Sequence, residues 1–200
     1  MSLGDCIDAK YVKPGATQET IDQMAKLGVF TRPIERVCEI GPGSGRYLEK
    51  TLHACNPAYY EIYETSKEWA AYLAMEYKVT VRPCDGVSLS HTPSMSIDLV
   101  QAHKVFVALP FLLNFRYFDE MIRVVRPSGT VVFDVLTEDC MNDPTLEKWV
   151  ATARGWNWTP SVMPKQLVIE HFKKHNFTFT GTFFIPLIPG IIQYMIFSKQ

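Results

Sequence analysis

Hydrophobic and polar positions along the 200-residue chain change their period repeatedly, and each change marks an element. Asp5 to Gly15 shows no clear period, and Pro14-Gly15 closes it as a turn. Ile21, Met24, Ala25 and Leu27 then share one helical face, with Thr17 as the expected cap and an end near Phe30. Ile34 to Ile40 has the length and apolar content of a buried strand. A glycine-rich loop follows, then a helix to about Ala54 that Asn56-Pro57 stops. Ala58 to Tyr63 reads as a second strand closing on Glu64, and Ser66 caps a helix carrying Trp69, Leu73 and Tyr77. Lys78 to Arg82 is a short third strand, ended by Pro83-Cys84-Asp85-Gly86.

Ile97 to Ala102 is the fourth strand. Phe111, Phe115, Phe118, Ile122 and Val125 recur at helical spacing until Arg126-Pro127-Ser128-Gly129, and Thr130 to Leu136 is a β-branched fifth strand. Leu146, Trp149, Val150 and Ala153 suggest a short helix, followed by a loop from Gly155 to Pro160. Pro164 suits the first turn of another helix, whose end carries Lys173, Lys174 and His175. Thr178, Thr180 and Thr182 alternate with aromatics in a half-buried strand, and Pro189-Gly190 turns it into a last strand, Ile191 to Ser198. Strand–helix alternation repeated in this way requires parallel pairing with right-handed crossovers. The expectation is one α/β domain over 1–200: an N-terminal helical segment, 1–33, over a core at 34–200.

Composition adds exclusions. Net charge is −1 with no basic stripe, which argues against a nucleic-acid partner and against a polybasic membrane anchor. Five scattered cysteines, never at C-x-x-C spacing, read as free thiols in a reducing compartment. No His/Asp/Glu cluster with metal spacing stands out, so no metal is expected. The apolar window Phe183 to Phe197 is broken by Pro186, Pro189 and Gly190, and the N-terminus lacks signal-peptide character. These features lead to the expectation of a cytoplasmic protein without a membrane partner.

The chemistry concentrates at Val37-Cys38-Glu39-Ile40-Gly41-Pro42-Gly43-Ser44-Gly45-Arg46. A strand, a glycine turn and a helix start can press a ligand against bare amides. In the dinucleotide fingerprint the third glycine would fall where Arg46 stands, which disfavours a nicotinamide or flavin cofactor. The pattern Glu39-x-Gly41-x-Gly43-x-Gly45 instead resembles motif I of the class I S-adenosylmethionine-dependent methyltransferases. Met121 to Phe133 resembles that family's helix-to-strand-five segment, with Ser128 where glycine is commoner. His171 to Phe177 resembles its last helix end, with Asn176 replacing a frequent glycine. The likeness spans about Ile34 to Lys199. It implies a doubly wound, mostly parallel seven-stranded sheet of order 3-2-1-4-5-7-6, strand seven antiparallel, with helices on both faces. It also implies S-adenosylmethionine as cofactor and methyl transfer to an oxygen or nitrogen of a small-molecule acceptor, by a monomer or homodimer.

In such a sheet the ligand lies beyond the carboxyl ends of the strands, at the switch point. The resemblance gives Glu39 the cofactor's ammonium, Gly41, Pro42, Gly43, Ser44 and Gly45 its close approach, and Asp85 with Gly86 its adenine. Glu64 lies 23 residues past Gly41, near the interval expected of an acid on ribose hydroxyls, with Glu61 as competitor. The resemblance also puts Gln101, next to last in the fourth strand, on the cofactor, and has Tyr11 close over it from the N-terminal segment. His103 follows that strand where the acceptor pocket opens and is the candidate general base, against a plainer role as a packed, hydrogen-bonded ring. Phe106 to Tyr117, with Trp156 and Trp158, would wall the acceptor. Gln101-Ala102-His103-Lys104 is neither the (Asp/Asn)-Pro-Pro-Tyr of amine methylation on DNA bases nor a Pro-Cys of cytosine C5 chemistry. Two alternatives share the fold: an aminopropyltransferase, which would want acids between Gln101 and Leu109 where there are none, and a non-catalytic cofactor-binding protein.

Overall fold

The computed structural model describes residues 3–152 and 161–200, with Tyr11 described by its backbone alone. Helices α1 (Leu3–Tyr11) and α2 (Ala16–Lys26) precede strand β1 (Arg36–Ile40). Then come α3 (Arg46–Cys55), β2 (Tyr59–Tyr63), α4 (Lys67–Glu76), β3 (Thr80–Val81), β4 (Ile97–Ala102), α5 (Phe111–Val124) and β5 (Val125–Thr137). A 3-10 turn (Glu138–Cys140), α6 (Asp143–Thr152), β6 (Val162–Met163), α7 (Lys165–Lys174), β7 (Phe177–Leu187) and β8 (Gly190–Lys199) complete the chain.

The sheet runs β3-β2-β1-β4-β5-β8-β7, with β8 antiparallel to both β5 and β7. This is the order expected from the resemblance, the last two expected strands being β7 and β8. β6 is an addition, a two-residue strand parallel to Leu136–Thr137 beyond the end of β4. Both faces are covered, so the central strands are apolar throughout; β4 is buried at all six positions. One face packs α5 and α7 through stacked rings, Phe118 on Phe133 at 4.6 Å and Phe172 on Phe197 at 4.2 Å. The other packs α2, α3 and α4 through Met24, Leu48 and Leu73 onto Val37, Tyr60 and Ile62.

Several features differ from the sequence reading. Thr17 does not cap α2; Gly15 does, in the left-handed region at φ 77°, and Thr17 gives its amide and hydroxyl to Asp8. The expected loop at Arg126–Gly129 lies inside β5 as an outward excursion. The register jumps there, with Ile97 facing Val125 and Leu99 facing Thr130. A Cβ on Gly129 would stand 2.9 Å from the Asp98 carbonyl oxygen, so this narrow excursion needs glycine. Trp69 sits at an expected core position but is half exposed, leaving Leu73 as the fully buried anchor of α4. The loop 155–160, with Trp156 and Trp158, lies outside the described residues. No helix among those described is long and apolar enough to cross a membrane.

Candidate active site

The carboxyl tips of β1, β2, β3 and β4 converge on the glycine loop. Gly41, Gly43 and Gly45 all have positive φ, at 62°, 53° and 77°. Their surroundings differ. A Cβ on Gly45 would lie 2.4 Å from Leu73 of α4, and one on Gly41 2.7 Å from Val105, whereas one on Gly43 would meet nothing within 4 Å. Two glycines therefore seat the loop against the fold, and the middle one presents bare backbone to the groove. Pro42 is buried and Ser44 half-buried beside it.

Glu64 faces this loop. Its Oε2 accepts from the Gly43 amide and its Oε1 from the Ser66 amide, both at 2.8 Å. These bonds fix the carboxylate and leave further lone pairs for hydroxyl donors. Thr65 meets the loop after β3, where a Cβ on Gly86 would be 3.6 Å from its methyl group. Asp85, exposed beside it, is occupied with its own turn, accepting from the amides of Val87 and Ser88 and from the Ser88 hydroxyl. Burial pushes its pKa upward, but these donors outweigh it and hold the group below its ordinary value. Glu61, the competitor, is fully buried and bonded to Thr92, Tyr59 and Arg82, so Glu64 is the acid at the groove.

Glu39 and Gln101 differ from expectation. Both side chains turn under α3. Glu39, 1% exposed, accepts from the Tyr60 hydroxyl and from Gln101 Nε2; Gln101 also reaches Thr51. Burial raises Glu39 to about 7, against the bonds from Tyr60 and Gln101. These two form an interior bracket behind the strand tip, where the reading had the Glu39 carboxylate meeting the cofactor. The side chain of Tyr11 lies outside the described residues.

His103 is buried. Its ring stacks on Tyr47 at 4.1 Å, its Nδ1 is 2.9 Å from the Tyr194 hydroxyl, and its Nε2 has no hydrogen-bond partner among the described residues. Burial, then the cations Arg46 and Lys104, lower its pKa to about 3. Such a ring stays neutral at any ordinary pH and is a poor proton acceptor. Asp134 lies close by, with Oδ1 taking the Lys104 amide at 2.6 Å and burial raising it to about 7. A lone acid in the run Val131-Val132-Phe133-Asp134-Val135 was the signal that could have drawn attention to this position.

Lys104 itself holds φ at 59°, unusual for a residue with a side chain. It, Arg46 and Lys13 line a cavity of about 480 Å³ whose other wall residues are apolar, Ile7 and Val12 near α1 and Pro186 to Ile188 at the β7–β8 turn; the exposed Lys13 is paired with Glu19 at 2.6 Å. Arg46 is anchored by Asp8 at 3.0 Å. Burial, then the Arg46 charge, lowers the pKa of Lys104. Another cavity of about 470 Å³, beside Asp98 and Arg126, lies at the amino ends of β1 and β4, away from the strand tips that carry the loop.

A family model described as a methyltransferase domain matches residues 38–133, from β1 into β5. No curated protein sequence matches the chain. Among solved structures, the N-methyltransferase NodS from Bradyrhizobium japonicum, in complex with S-adenosyl-L-homocysteine, aligns over 97% of this chain and 90% of its own at 14% identity, TM-score 0.66. An S-adenosylmethionine-dependent methyltransferase from Mesorhizobium loti aligns over 92% and 99% at 14% identity, TM-score 0.68. One from Methanosarcina mazei aligns over 85% and 94% at 13% identity, TM-score 0.65. Identities this low carry the fold. The fold and the glycine loop are those of Rossmann-like methyltransferases, and the matched methyltransferase domain, just under half of the chain, is consistent with a class I enzyme using S-adenosylmethionine. The residues present fit that cofactor. Open backbone at Gly43 beside a fixed carboxylate at Glu64 suits the ribose of a nucleoside.

Proposed function

We propose that this enzyme methylates an oxygen or nitrogen of a small, partly apolar, anionic acceptor bound in the cavity between α1, the start of α3 and the β7–β8 turn. The observation that carries this reading is the adjacency of the half-buried Arg46 and Lys104 to the loop that begins at Gly41, in a cavity whose wall is otherwise apolar apart from the Glu19-paired Lys13. A carboxylate or phosphate on the acceptor would meet the half-buried cations, and its hydrocarbon body the wall from Ile7 to Ile188.

The cofactor supplies a methyl group on a sulfonium; the acceptor's lone pair forms the new bond to carbon while the carbon–sulfur bond breaks, leaving a neutral thioether. In this reading Glu64 accepts from the ribose hydroxyls and Gly43 permits the approach of the cofactor. Lys104 and Arg46 orient the acceptor. His103, neutral and held by Tyr194 and Tyr47, is a packed interior ring and does not carry a proton. Alignment then accounts for the rate, with the acceptor's proton leaving to water.

The test is an acceptor screen with radiolabelled cofactor over amines and phenols with and without a carboxylate or phosphate. Lys104→Met should raise acceptor KM about tenfold, the worth of one charge-assisted bond, with cofactor affinity unchanged. Should Lys104→Met weaken cofactor affinity instead, the cations serve the cofactor's own carboxylate and the acceptor assignment is wrong.

A further inference from the structure

Away from this site, the fold brings together three side chains that the sequence presents far apart. His171 and His175 stand four residues apart at the end of α7, so both rings face the same side of the helix. Asp119 of α5 meets them there. Its Oδ1 is 2.9 Å from His171 Nε2, the two histidine rings lie 5.5 Å apart, and one donor atom from each of the three residues falls within 4.8 Å of the others. The sequence reading expected no metal cluster, because the i, i+4 histidines gain their third member only when α5 and α7 pack side by side.

We propose that Asp119, His171 and His175 bind a divalent transition-metal ion of the zinc class, fastening the C-terminal end of α7 to α5. Two imidazoles and one carboxylate form a nitrogen-rich set that suits zinc, copper or nickel and not calcium or magnesium. A tetrahedral ion with ligands about 2.1 Å away sets its donors about 3.4 Å apart, so closing the group takes only small side-chain rotations. Those rotations are available, since Asp119 and His175 are exposed. His171 is already oriented, lying edge-on to Phe115 with ring centroids 5.0 Å apart. The C-terminal carbonyls of α7 add partial negative charge, against which Lys173 and Lys174 on the same turn act in opposition. Three protein ligands leave the outward coordination position to water.

The experiment is calorimetry of Zn²⁺ into the full chain at neutral pH, with Mg²⁺ as control, on wild type, His175→Ala and Asp119→Asn, alongside thermal melts. Expected are one Zn²⁺ per chain at this site, no Mg²⁺ response and a melting midpoint that rises with Zn²⁺, with affinity falling at least tenfold in both variants. Both substitutions are on exposed positions and keep all five cysteines, so thiol binding would survive them. Zinc affinity equal to wild type in either variant, or no zinc binding by the wild type, overturns the proposal. Cu²⁺ substitution gives an independent reading: the site requires nitrogen hyperfine splitting from two imidazoles, and splitting from one or none rejects it.

Discussion

The Gly43 amide donates to the Glu64 carboxylate at 2.8 Å. This single bond ties the tips of β1 and β2 across the groove and holds an acid beside the one loop glycine with open space above it. Removing the acid should therefore affect ligand more than fold. Glu64→Ala is expected to weaken S-adenosylhomocysteine binding about 10- to 100-fold, the worth of one to two charge-assisted bonds, with a smaller loss in Glu64→Gln. Calorimetry on both variants checks this.

The loop glycines should separate in their effects. Gly43→Ala has room for its methyl group and carries chiefly the left-handed backbone cost, about 1–2 kcal/mol, together with a marked loss of cofactor affinity. Gly45→Ala bears the same backbone cost and also drives Leu73 off its packing at 2.4 Å, so its stability loss should be the larger. Urea unfolding beside ligand titration ranks the pair.

Glu39 predicts a pH signature. Its carboxyl ordinarily titrates at 4.5 and in the folded chain at about 7. Between those values the folded state keeps a proton that the unfolded state has lost, so this group lowers stability progressively as pH rises through that window, and the loss is complete above it. Glu39→Gln carries no such cost. Relative to wild type it should be unchanged near pH 4 and more stable at pH 8 by up to about 3 kcal/mol. Its cofactor affinity should fall far less than that of Glu64→Ala, as suits a side chain turned into the interior.

His103 predicts an absence in the rate profile. A ring held near pKa 3 gives no limb in kcat between pH 5 and 8. His103→Gln should keep kcat within about tenfold of wild type, whereas loss of a working general base would cost about 100-fold or more. Steady-state rates across that range decide it.

Much of this was legible beforehand, and the exceptions share a cause. Strand β4 runs from Ile97 to Ala102 as read, Ser66 caps α4 through the Trp69 amide, and Glu64 stands at the end of β2. Those features rest on local rules, an apolar run between polar flanks or a side chain that bonds its own backbone. The direction of Glu39 did not. A strand buried on both faces has no polar side to fix the parity of its side chains, so whether an acid near its tip looks into the groove or under a helix depends on neighbours such as Tyr60 and Gln101. Thr17 was misread for a similar reason: its hydroxyl found Asp8, nine residues away, instead of the amides of its own helix. Arg46 and Lys104, 58 positions apart in the sequence, come onto one wall only when the fold is in place.

The cavity proposed for the acceptor is made from distant parts of the chain, with α1 and the β7–β8 turn meeting the start of α3 and the segment after β4. The nucleoside loop, Gly41 to Gly45, belongs to neither of those outer pieces, α1 and the turn. Exchanging the two outer pieces for those of another enzyme would leave Gly43 and Glu64 untouched, so selectivity for the molecule being modified can drift while the donor machinery stays as it is.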